Sequence, residues 1–396
     1  MGLSAQRLGR MRAALGAHVD AGDVPGLVAL VARRGRVHAE VLGTAGAGGG
    51  PPMRRDALFR IASLTKPITA AAAMTMVEEC VLRLDDPVDG LLPELAGRQV
   101  LADPGGPLHD TVPAHRPITV RDLLTLRPGI GAVMAPPGAT PIQRAMDEAG
   151  VAPRPEGQSL EPGEWLGRLG ELPLVHQPGE RWMYDTGLDV LGVLMSRAAG
   201  RPLADLLAER VFEPLGMADT GFHVPEPELD RLLPAYAADP ATGALTPAGD
   251  RSRWAHPPAF PSAAGGPGLV STADDLLAFC TMMLNKGRCA AGRVLSRPSV
   301  ELMTTDQLTP DQKAAAPAFF GGSGGWGLGV GVVTRRDDLP AVPGRFGWDG
   351  GTGTSAWTDP AEELIGILLT QRPLTSPAAP PWFSDFWTCA YQAIDD

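Results

Sequence analysis

Phe59-Arg60-Ile61-Ala62-Ser63-Leu64-Thr65-Lys66-Pro67-Ile68 is the stretch from which the fold and the chemistry of this 396-residue chain can both be read. A long helix is predicted to start near Ser63 and to run through Ala70 to Val81. Pro67 is tolerated because it falls in the first turn, where a missing N–H breaks no helical bond. Spaced three apart, the Ser63 hydroxyl and the Lys66 amine share one helical face. The helix N-terminus adds free N–H groups and partial positive charge, which suits an oxyanion formed beside Ser63. The same field is expected to push the Lys66 amine below its usual ~10.4, so that it can accept the proton of an attacking serine. A helix cap followed by a solvated lysine would look the same, so the motif by itself favours function only modestly.

Lysine is scarce in this chain. Lys66, Lys286 and Lys313 are the only lysines among 34 basic residues, which makes a lysine inside a motif stand out. Against 45 acidic residues the net charge is −11. That balance argues against nucleic-acid binding, because phosphate neutralisation needs a surplus of Lys and Arg. No apolar run approaches the ~18 residues of a membrane span. Met1 to His18 reads as an amphipathic helix with Leu8, Met11, Leu15 and Val19 on one face, not as a signal peptide. The expected setting is the cytoplasm, with neither membrane nor nucleic acid as partner. Cys80, Cys280, Cys289 and Cys389 stand far apart and are expected to be reduced thiols. No metal-ligand spacing links them to the seven histidines, so no metal and no cofactor are expected. Gly and Pro number 49 and 40, implying many ordered loops, while 44% hydrophobic content argues against disorder. The length suits one large domain or two intertwined ones.

Outward from Ser63, strand signals lie at both ends of the chain. Gly26 to Ala32 is a buried-strand run, and a turn at Arg33-Arg34-Gly35 leads into a second strand from Val37 to Gly43. Near the C-terminus Gly327 to Thr334, Ser355 to Asp359 and Glu363 to Thr370 have strand character, and Ser384 to Ile394 reads as a closing amphipathic helix. Between them, Ile118 to Leu126 and Leu188 to Ala199 are predicted helices, the second stopped by Gly200-Arg201-Pro202. Residues 131–162 are proline-rich and weakly periodic, and read as a long loop. The predicted class is α+β, with an antiparallel sheet built from N- and C-terminal segments, flanked by helices and interrupted by a largely helical insertion. Residues 1–85 and 265–396 would form the sheet part and 86–264 the helical part. The boundary between sheet and helices is a natural place for a cleft.

Two further elements add chemistry. Tyr184-Asp185-Thr186 precedes the helix at Leu188, and Tyr184 is one of three tyrosines. A phenol close to a cationic lysine gives up its proton more readily and could relay the serine proton to a leaving group. Taken alone, it would more readily be a half-buried core tyrosine. Phe346-Gly347-Trp348-Asp349-Gly350-Gly351-Thr352-Gly353 is glycine-rich, and such a strand can approach a substrate closely and offer an N–H to an oxyanion.

In this order and spacing the three elements resemble the serine β-lactamase and penicillin-binding-protein superfamily, above all the class C β-lactamases and the family VIII carboxylesterases. The likeness extends along most of the chain, through Ile118-Thr119-Val120-Arg121-Asp122-Leu123-Leu124-Thr125, Phe212-Glu213-Pro214-Leu215-Gly216-Met217, Gly265-Gly266 and Trp326-Gly327-Leu328-Gly329. It implies a β-lactamase/transpeptidase-like fold in which Ser63 is the acylated nucleophile. Lys66 and Tyr184 become the acid/base pair, with the first proton acceptor left open between them, and the N–H groups of Ser63 and Gly351 form the oxyanion hole.

Departures from the pattern bear on specificity. Where penicillin-recognising relatives usually carry K-T-G, this chain has Trp348-Asp349-Gly350, so the lysine that ordinarily helps bind a carboxylate is replaced by an aromatic and an acid. Anionic β-lactams and peptide C-termini are expected to bind worse, although Arg345 lies close in sequence. Thr186 takes the last place of the Y-x-N element and keeps a hydroxyl without the amide. The substrate-binding set is thus Trp348, Asp349, Gly350 and Thr186. Gly321-Gly322-Ser323-Gly324-Gly325 also fits the G-x-S-x-G of α/β-hydrolases, but that elbow needs a strand before it and a helix after it, and it is read as a flexible loop. The expected activity is cleavage of a carboxylic ester with apolar groups, a small-molecule ester or acyl donor, through an acyl-Ser63 intermediate. An acyltransferase of the same fold is the close alternative, and a weak β-lactamase or D-amino-acid peptidase the next.

Overall fold

Gly26–Arg33 forms an eight-residue strand with every position buried, as a nearly unbroken apolar run demands when both faces of a sheet are covered. The computed structural model describes residues 2–154, 157–239, 241–266 and 268–396. Its main elements are α1 (Ala5–Asp20), β1 (Gly26–Arg33), β2 (Arg36–Gly43), β3 (Phe59–Ala62), α2 (Thr65–Glu78), α3 (Thr186–Ala199), β4 (Leu269–Ser271), β5 (Gly324–Trp326), β6 (Gly331–Val333), β7 (Phe346–Gly350), β8 (Thr354–Asp359), β9 (Leu364–Thr370) and α4 (Pro381–Gln392). Seven of the strands make one antiparallel sheet in the order β5-β6-β7-β8-β9-β1-β2. β1 and β9 pair from opposite ends of the chain, Leu30 against Ile367, so the sheet unites the N- and C-terminal segments.

Side-chain alternation divides the core between the two faces. Leu27, Ala29 and Val31 of β1, with Leu364 and Leu368 of β9, pack under α1 and α4 against Leu8, Met11, Leu15, Phe383 and Phe386. Val28, Leu30, Ile365, Ile367 and Leu369 point the other way, into the larger core that contains α2 and the inserted helices. α2 is buried on almost every side from Thr65 to Met76, consistent with its alanine-rich, non-amphipathic sequence. It is the axis on which the insertion and the sheet meet.

The sequence reading needs correction in three places. Residues 131–162 contain a helix, Pro141–Glu148, whose start is a capping box between Thr140 and Gln143. Of the expected strand from Gly327 to Thr334 only Gly331–Val333 is extended, as β6; residues 327–330 form the turn that pairs it with β5, which lies ahead of the predicted range, since Gly327 and Gly329 favour reversal over extension. The insertion also carries two small hairpins, Gln99–Leu101 with Thr111–Pro113 and Ala235–Ala238 with Leu245–Ala248. Among the described residues no helix is long and apolar enough to cross a membrane.

Candidate active site

The turn between β3 and α2 presents Ser63. Ala62, the last residue of β3, has φ +43°, and Leu64 is already helical at φ −65°, so the chain reverses within two residues and leaves Ser63 half-buried ahead of the helix. The first helical residue is thus Thr65, two later than the sequence suggests. Positive φ is costly for alanine, and close packing holds it there. A Cβ on Gly265 would lie 2.3 Å from the Ala62 carbonyl oxygen and 2.8 Å from the Ser63 nitrogen, so only glycine fits against this turn.

Lys66 is fully buried and reaches back to the serine, with Nζ 3.1 Å from Ser63 Oγ. Nζ also donates to Asp185 Oδ1 at 2.7 Å and to the carbonyl of Ala264. An ammonium has three protons, and these three partners use them all. Burial alone would drive the amine towards neutrality, but the Asp185 carboxylate and the Tyr184 phenol outweigh it and hold the Lys66 pKa above the ordinary lysine value. This reverses the expectation of a lowered value: the carboxylate in direct contact with the amine outweighs the field of the helix terminus.

Tyr184 sits at the entrance to α3, its ring centroid 4.2 Å from Lys66 Nζ. Trp348 Nε1 donates to its hydroxyl at 2.8 Å. Phe319, from the short helix Pro317–Phe320, lies 5.1 Å from the Tyr184 ring and nearly parallel to Trp348, at 11°. Trp182 and Trp326 back this group, 5.5 Å from Tyr184 and 4.7 Å from Trp348 respectively. The half-buried rings of Tyr184, Trp348 and Phe319 thus form an aromatic wall beside the serine.

β7 approaches the serine turn from the sheet. A Cβ on Gly350 would fall 2.4 Å from the Ile61 carbonyl, and Thr352 and Thr354 donate their hydroxyls to the carbonyls of Arg60 and Ile61. These ties bring the 351–353 turn beside β3. A Cβ on Gly351 would meet nothing within 4 Å, and among the described residues no protein acceptor takes the N–H of Ser63 or of Gly351.

Two residues expected to bind substrate lie elsewhere. Asp349 alternates with Trp348 along β7 and points to the opposite face of the sheet, where its Oδ1 accepts from Ser355 Oγ at 2.6 Å and Trp357 Nε1 at 2.9 Å. Arg345 is on that face too, fully desolvated over the rings of Trp387 (3.9 Å) and Trp357 (4.8 Å), and cannot reach a substrate carboxylate. Thr186 is the first residue of α3 and only 2% exposed, so its hydroxyl meets no open cleft. Ser323 follows a helix and precedes β5, the reverse of a nucleophile elbow.

The sequence reading missed the acids behind Lys66. Asp185, the middle residue of Tyr184-Asp185-Thr186, supplies the lysine's counter-ion. Asp189, one turn along α3, accepts from Ser262 Oγ and the Ala264 N–H, both at 2.9 Å. Burial first, and the neighbouring Asp185 charge second, push its pKa up to about 7. The sequence carried no signal for the pair: Asp185 lies ahead of α3 at φ +84°, so its four-residue spacing from Asp189 does not put the two carboxyls on one helical face.

Comparison with known proteins agrees with this geometry. The Beta-lactamase family profile matches residues 11–383. The chain is similar to Protein Rv1367c of Mycobacterium tuberculosis, 41% identical across 89% of this chain and 87% of that one. It is similar to Esterase EstB of Burkholderia gladioli, 34% identical across 87% and 85%. Among solved structures it resembles EstCE1, described as a hydrolase with promiscuous acyltransferase activity, at a TM-score of 0.81 and 27% identity over 98% of this chain and 99% of that one. A seven-stranded antiparallel sheet, a serine ahead of a buried helix, a lysine one turn on and a family match over nearly the whole length lead to one assignment: the chain belongs to the beta-lactamase family.

Proposed function

We propose that this protein is a serine hydrolase that cleaves carboxylic esters through an acyl-Ser63 intermediate. The observation that carries the reading is the half-buried Ser63 hydroxyl 3.1 Å from the buried Lys66 amine, with Tyr184 against the same amine. Ser63 Oγ attacks the ester carbonyl, and the oxyanion is received by the N–H groups of Ser63 and Gly351, neither of which has another acceptor among the described residues. Collapse expels the alcohol, protonated through the Lys66–Tyr184 pair, and water then releases the acid. Trp348, with Tyr184 and Phe319, offers an apolar wall for the acyl or alcohol group. The named activities of Esterase EstB and EstCE1 support the ester chemistry. The reading also keeps the cytoplasm as working place, where four free cysteines would stay reduced.

Ser63→Ala is expected to abolish turnover of short p-nitrophenyl esters, while wild-type protein shows an acyl adduct on Ser63 by intact mass. Near-normal turnover in Ser63→Ala would refute the mechanism. Lys66→Ala and Tyr184→Phe should each cost at least ~10²-fold. Acyl transfer is the second reading, favoured by the acyltransferase activity named for EstCE1. It requires that an added alcohol or amine speed decay of the acyl-enzyme and appear as the acylated product. Nitrocefin turnover matching that of the esters would shift the assignment to a β-lactamase.

A further inference from the structure

We infer that the cleft between α3 and residues 257–261 is a second binding site, which takes an organic ammonium with an apolar body and holds it through the Asp189 carboxylate. The cleft measures about 680 Å3, within the ~300–1,000 Å3 range of small-molecule sites. Val193 of α3, Leu203, Phe222 and Phe260, all buried, give it apolar walls.

Asp189 lines this cleft and is only 5% exposed. Both of its protein bonds fall on one oxygen: Oδ1 accepts from Ser262 Oγ and from the Ala264 N–H. Oδ2 takes no donor from the described residues, and it is not among the polar atoms sealed off without a partner. It therefore opens on the cleft that Asp189 lines. Fixing the loop needs Oδ1 alone, a task that an asparagine carbonyl would perform without a buried charge. A carboxylate oxygen left unanswered beside apolar walls is costly, and a donor carried by a ligand answers it. A charged N–H makes the stronger bond, roughly twice that of a neutral donor.

The other charges around the cleft also favour a cation. Arg197 and Arg201 line it, but Glu94 holds the first at 2.6 Å and Glu209 holds the second. Glu161 and Asp205 share the lining without an ion-pair partner among the described residues, and His223 there is exposed. With both guanidinium groups already paired, the acids leave the cleft electronegative, which attracts an ammonium and repels a carboxylate. Phe222 and Phe260 suit the apolar body, and aromatic faces attract ammonium groups as well. The 262–266 loop joins the cleft to the active site, since Ala264 gives its N–H to Asp189 and receives Lys66 at its carbonyl. The cleft is nevertheless distinct from the aromatic wall, for none of Tyr184, Trp348 and Phe319 lines it.

Cyclohexylmethylammonium, cyclohexylmethanol and cyclohexanecarboxylate share one apolar body and differ in charge, which makes them the probes. Calorimetry on the whole chain is done at pH 8, above the value of about 7 to which burial pushes the Asp189 pKa. The ammonium should bind with a Kd of about 1 mM or tighter, and the alcohol and the carboxylate at least ~10-fold more weakly. Asp189→Asn keeps a carbonyl for Ser262 and Ala264 but loses the charge, and should weaken the ammonium at least ~10-fold. Ala204→Trp puts a ring into the cleft from the helix Leu203–Leu207. It should block binding without touching Asp189, and it decides the matter if Asp189→Asn folds poorly. Trp348→Ala should bind the ammonium as wild type does. Equal binding of the three compounds, undiminished binding in Asp189→Asn or Ala204→Trp, or loss of binding in Trp348→Ala would overturn the inference. Binding is read with no ester present, so it stands apart from the outcome for Ser63→Ala.

Discussion

Trp348 meets Tyr184 through its indole nitrogen and Trp326 through its ring, so one substitution can separate two duties. Trp348→Phe keeps an aromatic wall but removes the 2.8 Å donor to Tyr184 Oη. A neutral hydrogen bond contributes ~0.5–1.5 kcal/mol net, so kcat should fall by about 3- to 10-fold with KM little changed. Trp348→Ala removes the wall as well and should raise KM for bulky apolar esters. Equal effects of the two variants on both constants would argue against this division. Asp189 makes a second residue-level case. Its folded pKa of about 7 lies above the ordinary 3.8, so the folded state binds more protons than the unfolded one between roughly pH 4 and 7. Stability from this group is therefore greatest at low pH and is lost as pH rises through 7. Asp189→Asn, which can still accept from Ser262 and Ala264, should remove that slope: the stability of wild type relative to the variant falls from pH 5 to pH 8 in urea titrations. A constant difference would show that Asp189 titrates as it does in the unfolded chain.

β9 shows how an element is shaped by what lies across it. A Cβ on Gly366 would come within 2.4 Å of the Trp387 ring of α4, so glycine here sets the distance between sheet and helix. Gly366→Ala should cost ~1–3 kcal/mol of stability through overpacking while leaving turnover per folded molecule unaltered, checked by denaturant unfolding beside an ester assay. Elements of this kind are legible in sequence. β1 and β9 are apolar without interruption, and α2 has apolar residues at every register, patterns that only burial on all sides permits. Strands of two to four residues give no periodicity to detect, which is why the hairpins at 99–113 and 235–248 escaped. The helix Pro141–Glu148 had a readable start, Thr140-Pro141-Ile142-Gln143, the same capping-box pattern as Thr309-Pro310-Asp311-Gln312, but its proline-rich surroundings concealed it. At the candidate site, Ser63, Lys66 and Tyr184 stand out by their order and spacing together with the glycine-rich 346–353 stretch, not one by one. Asp185 does not, because its role depends on a backbone turn that places it against a helix 119 residues away in sequence.

Across the whole molecule, the sheet separates two chemical environments, and the thiols report on it. Cys280 is buried in the larger core with its pKa pushed up to about 12, whereas Cys80 is exposed. A disulfide reagent at pH 8 should modify Cys80 promptly and Cys280 only on unfolding, and prompt modification of both would contradict the packing between α2, β8 and the helix Ala273–Leu284. The same separation has a practical meaning for altering specificity. Along β7 the two faces interleave residue by residue: Phe346 and Gly350 are committed to packing, Arg345 and Asp349 to the desolvated polar cluster beneath α4, and Trp348 alone faces the aromatic wall. A mutant library aimed at new acyl groups therefore has a narrow address. Randomising positions 348 and 319 together should yield mostly soluble, folded clones with diverse ester preferences. Randomising 349 or 345 would spend its diversity on the hidden side of the sheet and return chiefly misfolded protein.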